Sequence, residues 1–158
     1  MKQQPYFSVV EIKKKLERYC VYQERCHKEI AQKLKEFNLI EEAKNQLILH
    51  LLEHDFLNEE RFSKSFASGK FRIKKWGKQR IIRELKLRDI SEYNIKIALK
   101  EIDEEAYKQT IFEITAKKNG QLQESNFFKR KKKLTDFLYR KGYEYDLILA
   151  TIQQVIEA

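Results

Sequence analysis

Apolar residues recur along most of the chain at steps of three and four, the period of amphipathic helices. Ser8 and Glu11 form a capping-box pair ahead of a helix predicted over about 9–22. Ile30, Leu34 and Phe37 mark a second helix, and Ala43, Leu47, Ile48, Leu51 and Leu52 form the stripe of a third that ends near His54. Asn58 is a natural N-cap, with Glu59 and Glu60 where negative charge complements the helix dipole. A fourth helix is expected from there to about Arg72, with Trp76 and Gly77 breaking it. Ile81, Ile82 and Leu85 carry the next, Ser91 caps one holding Ile95, Ala98, Leu99 and Ile102, and Asp103 caps one reaching Gly120. Ser125 is expected to open a helix that Gly142 closes, and a last helix runs over about 145–156. On the penultimate helix, Phe127, Leu134, Phe137 and Leu138 are predicted to face the core, with Lys129, Lys133 and Arg140 grouped away from it.

These helices fall into threes that match one another. Superimposing EIAQKLKEFNL, IIRELKLRDI and LTDFLYRKGY aligns Leu34, Leu85 and Leu138 at steps of about fifty residues. Each leucine lies on the second helix of its trio. Ile90 then matches Tyr143, Ile95 matches Ile148, and Leu99 matches Ile152. The expectation is an all-α protein, an elongated array of three tandem three-helix repeats over residues 1–57, 58–102 and 103–158, packed end to end.

Composition agrees with this architecture. Four Gly and one Pro in 158 residues disfavour a sheet with many tight turns, and 42% hydrophobic residues supply a core. Cys20 and Cys26 fit neither a CxxC pair nor half of a common zinc site, so reduced thiols are expected. No signal pattern and no apolar run of membrane-spanning length occurs, which gives the expectation of a soluble cytoplasmic protein.

Charge changes the picture more. The formal net charge is +9, yet residues 1–57 hold ten bases and nine acids, and 103–158 also hold ten and nine. Residues 58–102 hold thirteen and six, so the middle repeat supplies seven of the nine. From Lys70 to Arg88 there are nine Lys or Arg against one acid, Glu84. Such asymmetry points to an anionic partner, whereas a charge run on a solvated helix face needs none. Candidate contacts are Lys70, Arg72, Lys74, Lys75, Trp76, Lys78, Arg80, Arg83 and Lys86 in repeat two, with Lys129, Arg130, Lys133 and Arg140 in repeat three. Trp76 has two readings, a stacking or docking surface and a plug in the core. Gly77 serves the backbone, allowing a turn into the next helix.

Several of these segments form ordered motifs. The run Leu57 to Phe62, then Lys75–Trp76–Gly77, then Arg80 to Ile90, resembles the L-x-D-x-R-F-A segment, basic stretch with a Gly, and R-I-x-x-E-L-x-x-K-G-I of the RecX family, the bacterial regulators of the recombinase RecA. QERCHKEIAQKL, with Glu29, Ile30, Lys33 and Leu34, resembles the family's opening motif, and FLYRKGY, Phe137 to Tyr143, its closing one. Asn58 and Glu59 stand where two Asp are usual, Cys26 where Ser is usual, and Arg88 and Asp89 where Lys and Gly are usual. The resemblance implies three three-helix repeats that bind along the RecA filament on single-stranded DNA and dampen ATP hydrolysis, strand exchange and coprotease activity, in DNA repair and recombination. It implies no catalysis of its own; a monomer without cofactor is the expectation. A general DNA-binding helical module remains the alternative.

One motif points elsewhere. His50, Leu51, Leu52, Glu53 and His54 spell H-x-x-E-H, an inverted zinc-peptidase pattern. A catalytic zinc needs a further ligand, which no later acidic motif supplies, and histidines at a helix C-terminus complement the dipole without any metal. Neither a Gly-rich phosphate loop nor a GxSxG elbow occurs. No metal site or catalytic residue is therefore expected.

Overall fold

A computed structural model describes residues 6–157; the first five residues of the expected first repeat, and Ala158, lie outside the described residues. All regular structure among the described residues is helical, in three trios. The first comprises α1 (Val9–Tyr22), α2 (His27–Leu34) and α3 (Glu41–Glu53), the second α4 (Glu59–Lys74), α5 (Lys78–Leu87) and α6 (Glu92–Leu99), and the third α7 (Glu104–Gln121), α8 (Phe127–Lys141) and α9 (Tyr145–Glu157). In each trio the first and third helices pack together. The accessible surface of 10854 Å² exceeds the roughly 8,400 Å² of a compact monomer of this mass, as an extended array of small units requires.

Helix starts follow the caps. Ser8 and Glu11 make the complete capping box, and Asn58, Ser91 and Asp103 each accept the N–H three residues on. α8 departs from expectation by one residue: Asn126, not Ser125, is its N-cap, accepting the Lys129 N–H at 3.0 Å. Phe127 is also misplaced by the sequence pattern, being 51% exposed and edge-on to Phe128 rather than in the core. The first buried residue of α8 is Leu134, so its opening two turns overhang the layer below. Phe37 lies just beyond α2, in the turn, packed edge-on against Phe7 at 5.9 Å.

Leu34, Leu85 and Leu138 are all buried on the second helices of their trios. In repeats two and three the match extends to the helix stop. Ile90 N–H donates to Leu85 O at 3.1 Å and Tyr143 N–H to Leu138 O at 3.2 Å, across Asp89 (φ 57°) and Gly142 (φ 100°). This is the six-residue closure of a left-handed helix stop, so Asp89 adopts the conformation usually left to glycine.

The trios join in two different ways. Repeat one has its own core around Leu16, Ile30, Leu34, Leu47, Leu51 and Leu57, while repeats two and three share a single one. Cys26, fully buried, is the one residue of repeat one among the described residues that enters the shared core. Polar contacts complete that joint. Arg61 donates to Glu24 Oε1 at 2.7 Å and to Asp55 Oδ2 at 2.9 Å, and Lys28 donates to the Leu87 carbonyl at 2.9 Å. The Glu24 and Asp55 carboxylates push the Arg61 pKa above its ordinary value.

Between repeats two and three, backbone meets backbone. α5 has neither a side-chain cap nor an acid in its first turn. Repeat three satisfies it instead: Gly77 N–H donates to Lys141 O at 2.8 Å, Gln79 N–H to Gly142 O at 2.9 Å, and Lys78 N–H to the Tyr107 hydroxyl at 2.9 Å. That hydroxyl in turn donates to Glu144 at 2.8 Å. The negative end of α8 thus abuts the positive end of α5. Approach this close requires glycine on both sides, since a Cβ on Gly77 would strike the Gly142 carbonyl and one on Gly142 would strike Arg80.

Gly142→Ala is therefore expected to cost about 2 kcal/mol or more in urea unfolding. Gly69→Ala, in α4 with open space around it, should gain about 0.5–1 kcal/mol. Equal effects of the two would contradict the joint described.

Cys20 and Cys26 are free thiols, and burial pushes both up to about 11 from an ordinary 9.0. At pH 8 the thiolate fraction is then about one in a thousand, so Ellman's reagent should label the native chain about a hundredfold more slowly than the unfolded one. Between pH 9 and 11 the unfolded chain releases these protons first, so stability should fall with rising pH in a series of melts.

Candidate functional site

The candidate basic residues occupy the end of α4, all of α5, and both ends of α8. Trp76 is half-buried against the shared core, edge-on to Phe66 at 6.2 Å. The Arg80 guanidinium lies 4.3 Å from the Trp76 ring centre and the Lys70 ammonium 5.1 Å. Trp76 is thus a partial core plug, as one of its two sequence readings expected, and its ring holds two cations in place.

From Arg80 the charge crosses the joint. Arg80 Nη1 donates to the Arg140 carbonyl at 3.3 Å, and Lys141 Nζ to the Lys74 carbonyl at 3.0 Å. Burial first, then the nearby Arg80 and Lys74 charges, lower the Lys141 pKa below the usual lysine value. Such crowding of like charge is what an anion would relieve. Arg83 and Lys86 follow Arg80 at steps of three along α5, which sets the three side chains on one ridge.

The cations differ in what engages them. Lys78 pairs with Glu104 and lies 4.6 Å from the Tyr107 ring centre. Lys133 pairs with Glu124 at 3.4 Å. Arg130 folds back on the α7–α8 connection, donating to the carbonyls of Asn119, Leu122 and Glu124 at 2.7–3.1 Å. By contrast Lys70, Arg72, Lys74, Lys75, Arg80, Arg83, Lys86, Lys129 and Arg140 have no carboxylate within 4.0 Å among the described residues. Lys129 lies about 16 Å along α8 from Arg140, with Lys133 between them, all exposed.

Sequence reasoning left three residues out of the candidate contacts. Lys141 lies at the centre of the crowded joint, and Tyr139 and Tyr145 stand exposed near it in sequence. The signal was the cluster of three tyrosines and two bases in YRKGYEY. Arg25 was also missed: it is 9% exposed, stacked 3.6 Å from the Tyr19 ring centre and bonded to the Tyr19 carbonyl, and it holds repeat one together.

His50 and His54 do share a face, with ring centres 4.4 Å apart, and His50 Nε2 lies 3.9 Å from Glu17. No group of three or more His, Cys, Asp or Glu among the described residues is placed to hold a metal ion. No helix there is long and apolar enough to cross a membrane.

Comparison with known proteins places this surface in context. Residues 58–99 match the description "RecX, second three-helix domain" and residues 105–152 "RecX, third three-helix domain". The chain is 25% identical over 139 residues to the Regulatory protein RecX of Bacillus cytotoxicus, covering 88% of this chain and 52% of that protein. It is 30% identical over 133 residues to the Regulatory protein RecX of Clostridium perfringens, covering 83% and 62%. It thus spans between about half and three-fifths of the length of these relatives. In fold it is similar to the crystal structure of RecX from Lactobacillus salivarius, with a TM-score of 0.83 at 20% identity over 95% of this chain and 97% of that one. With two successive RecX domains matched in order across more than half its length, the chain belongs to the RecX family of regulatory proteins.

Proposed function

We propose that this chain binds the RecA filament on single-stranded DNA and restrains it, lowering ATP hydrolysis, strand exchange and coprotease activity without catalysing a reaction. Family membership supports the regulatory role. The observation that carries the rest is the row of cations without a carboxylate partner among the described residues, from Lys74 and Lys75 through Arg80 to Arg83 and Lys86, continued by Arg140 on the next repeat. A filament that displays acidic protein surface and bound phosphate over a long groove matches such a row better than a compact ligand does.

In this reading repeat two supplies most of the contact and the stripe Lys129–Arg140 extends it. Lys78, Lys133 and Arg130 shape the surface more than they touch the partner, because each already has partners within the chain. Repeat one, nearly neutral, contributes little to this surface. The chain acts as a monomer in the cytoplasm.

RecA ATPase on single-stranded DNA, followed while the chain is titrated in at moderate salt, tests this. Inhibition should appear well below the concentration that coats the DNA; inhibition only at saturation would make the chain a plain DNA-binding module. The triple variant Lys74→Glu, Lys75→Glu, Arg83→Glu alters exposed side chains, so helix content should hold while the inhibitory concentration rises at least about tenfold. Undiminished inhibition would exclude this face as the contact.

A further inference from the structure

Between α5 and the turn joining α8 to α9 runs an open cleft of about 680 Å³. Arg83, Lys86 and Leu87 line one side, and Tyr139 and Tyr145 the other. Both tyrosines are more than half exposed, at 65% and 57%, as is Leu87 at 60%. Neither cation has an ionic partner among the described residues. The one acid on the lining, Glu144, accepts the hydrogen bond of the buried Tyr107 hydroxyl at 2.8 Å and is held by it.

A second cleft, of about 660 Å³ between the first and middle repeats, provides the contrast. There three of the four cations are paired: Lys33 with Glu36 at 2.9 Å, Arg88 with Glu84 at 3.0 Å and Lys28 with Asp89 at 3.5 Å. The cleft beside α8 combines two cations that have no carboxylate partner with two exposed tyrosine rings.

That combination selects a ligand. A phosphodiester offers charge to Arg83 and Lys86, and an unpaired base offers a flat face to a tyrosine ring. A duplex keeps its bases stacked on one another and presents only phosphates. Acidic protein surface would satisfy the cations but gives no general reason for two exposed rings across from them. We propose that this cleft is a binding site for single-stranded nucleic acid, with phosphates on Arg83 and Lys86 and bases stacked on Tyr139 and Tyr145. The inference rests on the reading of the basic surface as the working face, and it assigns the nucleic acid to one part of that face. Arg80, Arg83 and Lys86 step along α5 by about 4.5 Å each, so a strand leaving the cleft continues toward Arg80 and Arg140 at the joint.

The test uses the full chain alone, without recombinase, and a fluorescein-labelled oligothymidylate of about 16 nucleotides, by anisotropy across a salt series. Tyr139→Ala with Tyr145→Ala should weaken binding about tenfold or more, and Tyr139→Trp should preserve or tighten it. Arg83→Ala with Lys86→Ala should lower the slope of log K against log salt by about 1.4. The single strand should bind more tightly than a duplex of equal length. If the tyrosine pair can be removed with no loss of oligonucleotide binding, the proposal fails. Should that same variant instead lose only its inhibition of RecA ATPase, the cleft holds protein surface, which also overturns the proposal. If the native chain shows tyrosine-dependent strand binding but never inhibits RecA, the regulatory reading fails while this site stands.

Discussion

The close approach of α8 to α5 is the constraint from which the rest of this surface follows. α5 begins without a side-chain cap or an acidic first turn, so its leading N–H groups have no partner in their own repeat. The C-terminal carbonyls of α8 and the Tyr107 hydroxyl supply them. Two glycines permit the contact, and the tyrosines Tyr107 and Tyr143, with ring centres 5.2 Å apart, pack beneath it. Burial drives both phenols well above their usual pKa, which keeps them neutral hydrogen-bond donors. Rotation of one repeat against the other would orphan several buried polar groups together, a cost far above that of any single surface contact.

Fixing that joint fixes the charge. Basic residues at the ends of α4 and α8 and the start of α5 converge on one region, and some make the joint itself, as Lys141 does through the Lys74 carbonyl. The first joint works differently, through Arg61 and Lys28 and the buried Cys26. There charges are paired with acids, so little net field remains. Among the described residues most cations without a carboxylate partner lie on repeats two and three, and some of these, such as Arg80 and Lys141, bond carbonyls across the joint.

Much of this was legible in the chain. Capping residues located the starts of four of the nine helices of the described residues, and the recurrence of Leu34, Leu85 and Leu138 exposed the repeats. Ile90 matched Tyr143 because both close the same kind of helix stop, a local rule that sequence carries directly. What escaped was decided by neighbours far along the chain. Phe127 follows the apolar period of α8 yet has no layer beneath it. Arg130 reads as one more surface cation until the carbonyls of the α7–α8 connection are found around it. The pairing of Gly77 with Gly142 joins residues 65 apart in sequence, and no periodicity announces it. Tyr139 and Tyr145 gain meaning only once α5 is placed across from them.

The proposed function makes the cations without carboxylate partners on repeats two and three the working face. Lysine acylation with an N-hydroxysuccinimide ester, read by mass spectrometry with and without a RecA filament on single-stranded DNA, tests it directly. Protection is expected at Lys74, Lys75, Lys86 and Lys129, with Lys14 and Lys35 of repeat one labelled as in the free chain. Protection confined to repeat one, or absent from Lys74, Lys75 and Lys86, would contradict it.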